Sequence, residues 1–304
     1  MIVTSNGVKL HVEQRGAGSP AFVFLHYWGG SSRTWRHVAD RLSPDFRTIA
    51  FDQRGWGRSE APAKGYALAD LANDVGAVVS ELALERYILV GHSMGGKVAQ
   101  LLASRRPRGL IGVALVAPAP PSPMGGPLEL RQGMVRAYES RESVIATVAQ
   151  VLAPHGLKPD DLATVVADSM AGAAPAKAAW PLYASQENIV RDLADVTVPV
   201  LVISGEDDRV ESPDVLRREL LPRLAVAELH VLPRVGHLSP LEAPDDVADL
   251  LRAFAISLPD GHDGARHGSS QFPPARCQWC GITPIEAAKK RINGRPRRAS
   301  SPST

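Results

Sequence analysis

The 304-residue chain has only two cysteines, Cys277 and Cys280, and both stand near its end. The long stretch before them carries nearly all the strand and helix signals and must fold without disulfides, so a cytoplasmic protein is expected. No uninterrupted apolar run approaches the roughly 20 residues that span a bilayer, and no membrane partner is expected. The first residues, Met1 to Gly7, show no basic segment followed by an apolar one. They lead at once into the strand-like Val8-Lys9-Leu10-His11-Val12, and no secretory signal is expected. Charge of one sign is scarce too, with a formal net charge of +2. Residues 259–304 hold eight Lys/Arg against three Asp/Glu, which leaves 26 against 29 in the remainder. The larger part is therefore mildly acidic, without the basic footprint that nucleic acid requires.

The basic end is also poor in apolar periodicity. Gly, Pro, Ser and Arg dominate it, and such a segment buries too little apolar surface to offset its ordering entropy. Residues 259–304 are expected to form a disordered basic extension, with at most one short helical turn near residues 285–292. Its single Cys-x-x-Cys has only His262 and His267 upstream, short of the paired spacing of a four-ligand zinc site. No metal and no cofactor are expected.

What is present is a rhythm of apolar β-rich runs and amphipathic helical stretches, the pattern of a mostly parallel sheet covered on both faces. Residues 68–82 read as a helix, with Leu71, Val75, Val78, Val79 and Leu82 at helical spacing. The rhythm breaks at Ala117-Pro118-Ala119-Pro120-Pro121-Ser122-Pro123, which can continue neither a helix nor a central strand. Helical composition then runs to about Asp192, and Val198-Pro199-Val200 restarts the sheet. Residues 1–117 and 193–258 are thus expected to form an α/β core. Residues 118–192 are expected to form a helical lid over the carboxyl edge of the sheet, inserted after the strand that follows the helix of the Gly-x-Ser-x-Gly motif.

That motif is Gly91-His92-Ser93-Met94-Gly95, between the strand-like Arg86–Val90 and a helix-forming stretch from Gly96 to Ala103. A serine on so sharp a strand-to-helix turn projects its hydroxyl from the fold, and a Cβ at either glycine would collide with its surroundings. Four further motifs follow strand-like runs: His26-Tyr27-Trp28-Gly29-Gly30, the segment Asp52 to Ser59, Gly205-Glu206-Asp207-Asp208-Arg209, and Gly236-His237-Leu238. In this order, from about residue 2 to about residue 258, the set resembles the α/β-hydrolase superfamily in its serine-nucleophile branch, near cofactor-free haloperoxidase and perhydrolase-type esterases. The resemblance implies an α/β-hydrolase fold.

Ser93 is the candidate nucleophile and His237, in a loop directly after a strand, the candidate base. Glu206, Asp207 and Asp208 all follow a strand and offer a carboxylate to orient the imidazole. The family pattern Gly-x-x-Asp points to Asp208, with Asp207 as the alternative. By the same resemblance, the backbone N–H groups of Met94 and Trp28 form the oxyanion hole, although Tyr27 stands where glycine is usual and leaves that loop less defined. The segment Asp52–Ser59 reads as a tight turn tied down by Asp52 and Arg54. Tyr27, Trp56, Met124 and Trp180 are candidate pocket residues. The reaction implied is hydrolysis of a small carboxylic ester or lactone through an acyl-enzyme. A perhydrolase or haloperoxidase, a carbon–carbon bond hydrolase of the meta-cleavage type, and a non-enzymatic small-molecule receptor of the same fold remain open.

Overall fold

The computed structural model describes residues 1–259. The basic extension, Cys277, Cys280 and the turn expected near residues 285–292 lie outside the described residues.

Strands β1 (Ile2–Ser5), β2 (Val8–Arg15) and β3 (Ala21–Leu25) precede helix α1 (Arg36–Leu42), β4 (Thr48–Phe51), α2 (Leu68–Glu81) and β5 (Tyr87–His92). Then come α3 (Met94–Ser104) and β6 (Leu110–Val116), followed by α4 (Leu128–Arg136), α5 (Arg141–Thr147), α6 (Pro159–Ala171) and α7 (Ala174–Leu182) with no strand between them. The chain closes with β7 (Val200–Gly205), α8 (Pro213–Glu219), β8 (Ala227–Leu232), α9 (Ser239–Glu242) and α10 (Pro244–Ser257). No helix among the described residues is long and apolar enough to cross a membrane.

The strands form one sheet in the order β1-β2-β4-β3-β5-β6-β7-β8. The pairs β1–β2 and β2–β4 are antiparallel and all others parallel. Side chains alternate along a strand, so each central strand feeds two cores. Phe22, Phe24, Ile88, Val90, Leu201 and Ile203 pack on one face with Trp35, Val38, Val247 and Leu251. Val23, Leu25, Leu89, Leu115 and Val202 pack on the other with Val75, Val78 and Val98. Burial on both faces explains why β3, β5 and β7 read as continuous apolar runs rather than alternating ones.

The parallel register lines up the carboxyl ends of β3, β5, β6 and β7, with Leu25 beside Gly91, His92 beside Val116, and Val116 beside Ile203. Ligands of open α/β sheets bind beyond such ends. Every candidate catalytic loop leaves the sheet there. The insertion between β6 and β7 carries α4 to α7, and it is tied to the core at both ends through α3. Lys97, fully buried one turn into that helix, donates to Ser122 O at 2.9 Å and to Ser185 O at 3.0 Å. Burial pulls its ammonium down to about 8.

Candidate active site

Ser93 links β5 directly to α3. Its backbone lies at φ +52° and ψ −113°, a strained conformation for a residue with a side chain. The turn is tight enough that a Cβ on Gly91 would lie 2.4 Å from Gly95 O, and one on Gly95 2.6 Å from Leu25 O. Hydrogen bonds brace it: Ser93 N donates to Val116 O, and Ser93 O accepts from the amides of Gly96, Lys97 and Ala119. The hydroxyl therefore stands at the N-terminus of α3, where the helix dipole favours developing negative charge.

His237 follows β8 in a loop that three different elements hold. Its own amide and that of Leu238 both donate to Leu152 O, at 2.8 and 3.1 Å. That carbonyl ends a π-helical turn, Val148–Leu152, inside the insertion. Gly236 N donates to Glu242 Oε2 at 2.9 Å. From the elbow, His92 Nε2 donates to His237 O at 2.8 Å. A ring nitrogen facing a carbonyl must carry the proton, so His92 is the Nε2–H tautomer. Burial holds its pKa well below the usual histidine value, so it stays neutral. Sequence reasoning directs the His92 ring away from the Ser93 hydroxyl; the structure adds that it reaches the backbone of His237.

Asp208 Oδ2 lies 2.9 Å from His237 Nδ1, and both side chains are buried. The other carboxylate oxygen accepts from Val210 N at 2.8 Å and Glu211 N at 3.1 Å, which satisfies it away from water. Asp207, one residue earlier, faces His155 at 2.7 Å on the surface. Burial works against the imidazolium of His237, but the charge and hydrogen bond of Asp208, with Glu211 and Glu242 nearby, bring its pKa above the usual value. Neither Ser93 Oγ nor His237 Nε2 hydrogen-bonds to a described residue; such contacts commonly tighten only once substrate binds.

The loop after β3 is pinned by His26, which is fully buried. Its Nδ1 donates to Tyr27 O at 2.7 Å, and Nε2 accepts from Gln53 N at 3.0 Å. Gln53 returns the bond, donating from Nε2 to His26 O at 2.8 Å. Around Gln53, Asp52 accepts from the amides of Ser32 and Arg58, and Arg54 clasps Asp74 of α2 with two bonds of 2.6 Å. The amides of Trp28 and Met94 donate to no acceptor among the described residues.

Trp56, Trp180 and Met94 line one narrow cleft with Tyr66, Leu71, Ala176 and Ala179. Tyr27 and Met124 do not line it. Tyr27 packs its ring 5.1 Å from that of His92, and Met124 is partly buried, its backbone tied to Ser185 and Gln186. Sequence reasoning missed two carboxyls, the buried Glu211 and the half-buried Glu242, which burial pushes up to about 7. It also missed the carbonyl of Leu152, since a backbone acceptor leaves no mark in the sequence. Among the described residues, no group of His, Cys, Asp and Glu side chains is arranged to hold a metal ion.

A mostly parallel sheet with an elbow serine and a buried histidine–carboxylate pair at its carboxyl edge defines an α/β-hydrolase. Residues 22–250 match the alpha/beta hydrolase family, and the chain belongs to that family as one of its enzymes. It is 31% identical to 2-succinyl-6-hydroxy-2,4-cyclohexadiene-1-carboxylate synthase of Serratia proteamaculans over 81% of this chain and 97% of that one. It is also 31% identical to a non-heme chloroperoxidase of Streptomyces lividans, over 69% of this chain and 82% of that protein. The enol-lactonase of Burkholderia xenovorans LB400 superposes with a TM-score of 0.75 at 25% identity, covering 84% of this chain and 100% of its own.

Proposed function

We propose that the protein is a serine hydrolase of small carboxylic esters or lactones, with Ser93, His237 and Asp208 as its catalytic triad and the amides of Trp28 and Met94 as its oxyanion hole. The observation that carries this reading is the buried Asp208–His237 pair beside the strained Ser93 turn, with His92 bonded to the backbone of His237. Asp208 holds the imidazole proton on Nδ1, which leaves Nε2 as the basic nitrogen. Nε2 takes the Ser93 proton as Oγ attacks the substrate carbonyl carbon, and the tetrahedral oxyanion is stabilised by the two amides. The imidazolium then gives that proton to the departing alcohol oxygen, and the carbon–oxygen bond breaks to leave the acyl-enzyme. Water repeats the sequence and releases the acid. In a lactone, the departing oxygen stays attached to the acyl group.

Residues 118–192 act as the lid on this site, with Trp56 and Trp180 as walls of the substrate cleft. A second reading replaces water by hydrogen peroxide in the deacylation step, giving a peracid; the likeness to the Streptomyces lividans chloroperoxidase favours it. Steady-state turnover of p-nitrophenyl esters of increasing acyl length, beside γ-lactones and acetate plus peroxide, tests both readings. Turnover of short esters or lactones is expected. A protein that binds small esters but turns over none of these substrates overturns the ester and lactone reading.

A further inference from the structure

Three successive backbone carbonyls in the loop after β3 are each held by a hydrogen bond. Tyr27 O accepts from His26 Nδ1 at 2.7 Å and from Gly30 N at 3.1 Å. Trp28 O accepts from the Tyr138 hydroxyl at 2.9 Å, and Gly29 O from the Ser169 hydroxyl at 3.0 Å. The last two donors belong to the insertion, Tyr138 just beyond α4 and Ser169 within α6, and both are buried to 1% exposure or less. The contact is close: the Tyr138 and Trp28 rings lie 4.2 Å apart, and a Cβ on Gly29 would meet the phenol at 2.5 Å. Lys177 completes the clasp. Its carbonyl accepts from the Trp28 indole at 3.2 Å, and its ammonium donates to Tyr138 O at 2.9 Å.

In a trans peptide the C=O and N–H groups point in opposite directions. Fixing the carbonyls of residues 27, 28 and 29 therefore fixes where the intervening amides point. The Trp28 amide, with no acceptor of its own among the described residues, shares its peptide plane with Tyr27 O, which His26 Nδ1 and the Gly30 amide hold. The Gly30 amide in turn shares its plane with Gly29 O, held by Ser169, and Tyr138 holds the plane between them through Trp28 O. A donor fixed before reaction needs no reorganisation when charge develops, and that is the source of its catalytic value.

We propose that Tyr138 and Ser169 are positioning residues for the oxyanion hole: they hold the two peptide planes that follow Trp28 and, through the Gly30–Tyr27 hydrogen bond, the plane of the Trp28 amide itself, so that this amide points at the developing oxyanion. The insertion is thus a working part of the catalytic centre as well as its cover. This inference rests on the serine-hydrolase reading given above.

The test uses the full chain, Tyr138→Phe, Ser169→Ala and the double variant. The readouts are kcat and KM on p-nitrophenyl acetate, the pH profile, thermal unfolding, and inhibition by phenylboronic acid, whose tetrahedral serine adduct directs an oxygen into the hole. Each single change is expected to lower kcat about tenfold, below the 10²–10³ lost when such a donor is removed outright, and the pair about a hundredfold, at the lower end of that range. KM should move less than about threefold, because the lost interaction belongs to the transition state. Boronate affinity should weaken in step with kcat, while the acidic limb of the pH profile, which reports His237, stays where it is. Should Ser169→Ala unfold, Tyr138→Phe keeps the ring and carries the test. Variants with kcat within about twofold of the parent, with losses in KM alone, or with a displaced acidic limb overturn the proposal. A parent protein that turns over no ester and takes no serine-directed label overturns the underlying reading, and the inference with it.

Discussion

Replacing Asp208 by Asn tests the acid–base pair most closely. The Val210 and Glu211 amides both donate to Asp208 Oδ1, so an asparagine there must turn its carbonyl oxygen towards them. Its amide N–H groups then face His237 Nδ1, which has to accept, and the ring proton moves to Nε2, where the base is needed. The variant also loses the charge that stabilises the imidazolium. At an effective dielectric constant of about 20 and roughly 4 Å between charge centres, that attraction amounts to about 4 kcal/mol, or about 10³ in rate. Wrong tautomer and lost charge together should lower kcat by about 10⁴ with little change in KM. Asp207→Asn removes only a surface contact with His155, both side chains being nearly half exposed. It should change kcat by less than about threefold. Steady-state kinetics on p-nitrophenyl acetate at pH 8, with circular dichroism as a folding control, gives both numbers. An Asp208→Asn enzyme within tenfold of the parent, or a larger effect at Asp207, would refute this reasoning.

Protonated His237 cannot act as a base, and Asp208 brings its pKa above the usual value against the pull of burial. The kcat/KM profile should therefore lose activity with falling pH through a limb lying above the ordinary histidine value of about 6.5; a limb near pH 5.5 contradicts this. Glu211 carries the opposite linkage for stability. Burial raises its folded-state pKa to about 7 from 4.5, so its contribution is fully present below the unfolded value and is lost as pH rises through about 7. The loss is on the order of 3 kcal/mol. Glu211→Gln should flatten the decline in urea-unfolding free energy between pH 5.5 and 8.5, and an unchanged decline in the variant counts against the assignment.

The fold was legible because its signals are local. Each apolar run of β3, β5 and β7 is bounded by turn residues, and α2 shows its buried face as Leu68, Leu71, Val75 and Val78 at helical spacing. The Ser93 elbow was legible for the same reason, since strand, turn and helix all lie within residues 87–104. Helix ends were less so. The stretch 143–152 reads as one helix, yet α5 covers Arg141–Thr147 and passes into a π-helical turn whose last carbonyl, that of Leu152, holds the His237 loop. The contacts least visible in advance are those spanning long sequence separations. Tyr138 and Ser169 lie 110 and 140 residues beyond the carbonyls they hold. Nothing in the composition of α4 or α6 marks a tyrosine or serine as a partner of the loop after β3. Nothing local in the sequence marks Glu211 as buried; in the fold its amide donates to Asp208 Oδ1, and Lys97 of α3, Asp208 and His237 are among the charges around its carboxyl.

Covalent capture of the nucleophile tests serine catalysis most directly. A fluorophosphonate probe incubated with the full chain, followed by intact mass and peptide mapping, should add one label, on Ser93, because the proposed triad and oxyanion hole serve that hydroxyl. Ser93→Ala should take no label and lose ester turnover. Labelling that persists in Ser93→Ala, or a parent protein that hydrolyses esters without ever being labelled at Ser93, would contradict the triad.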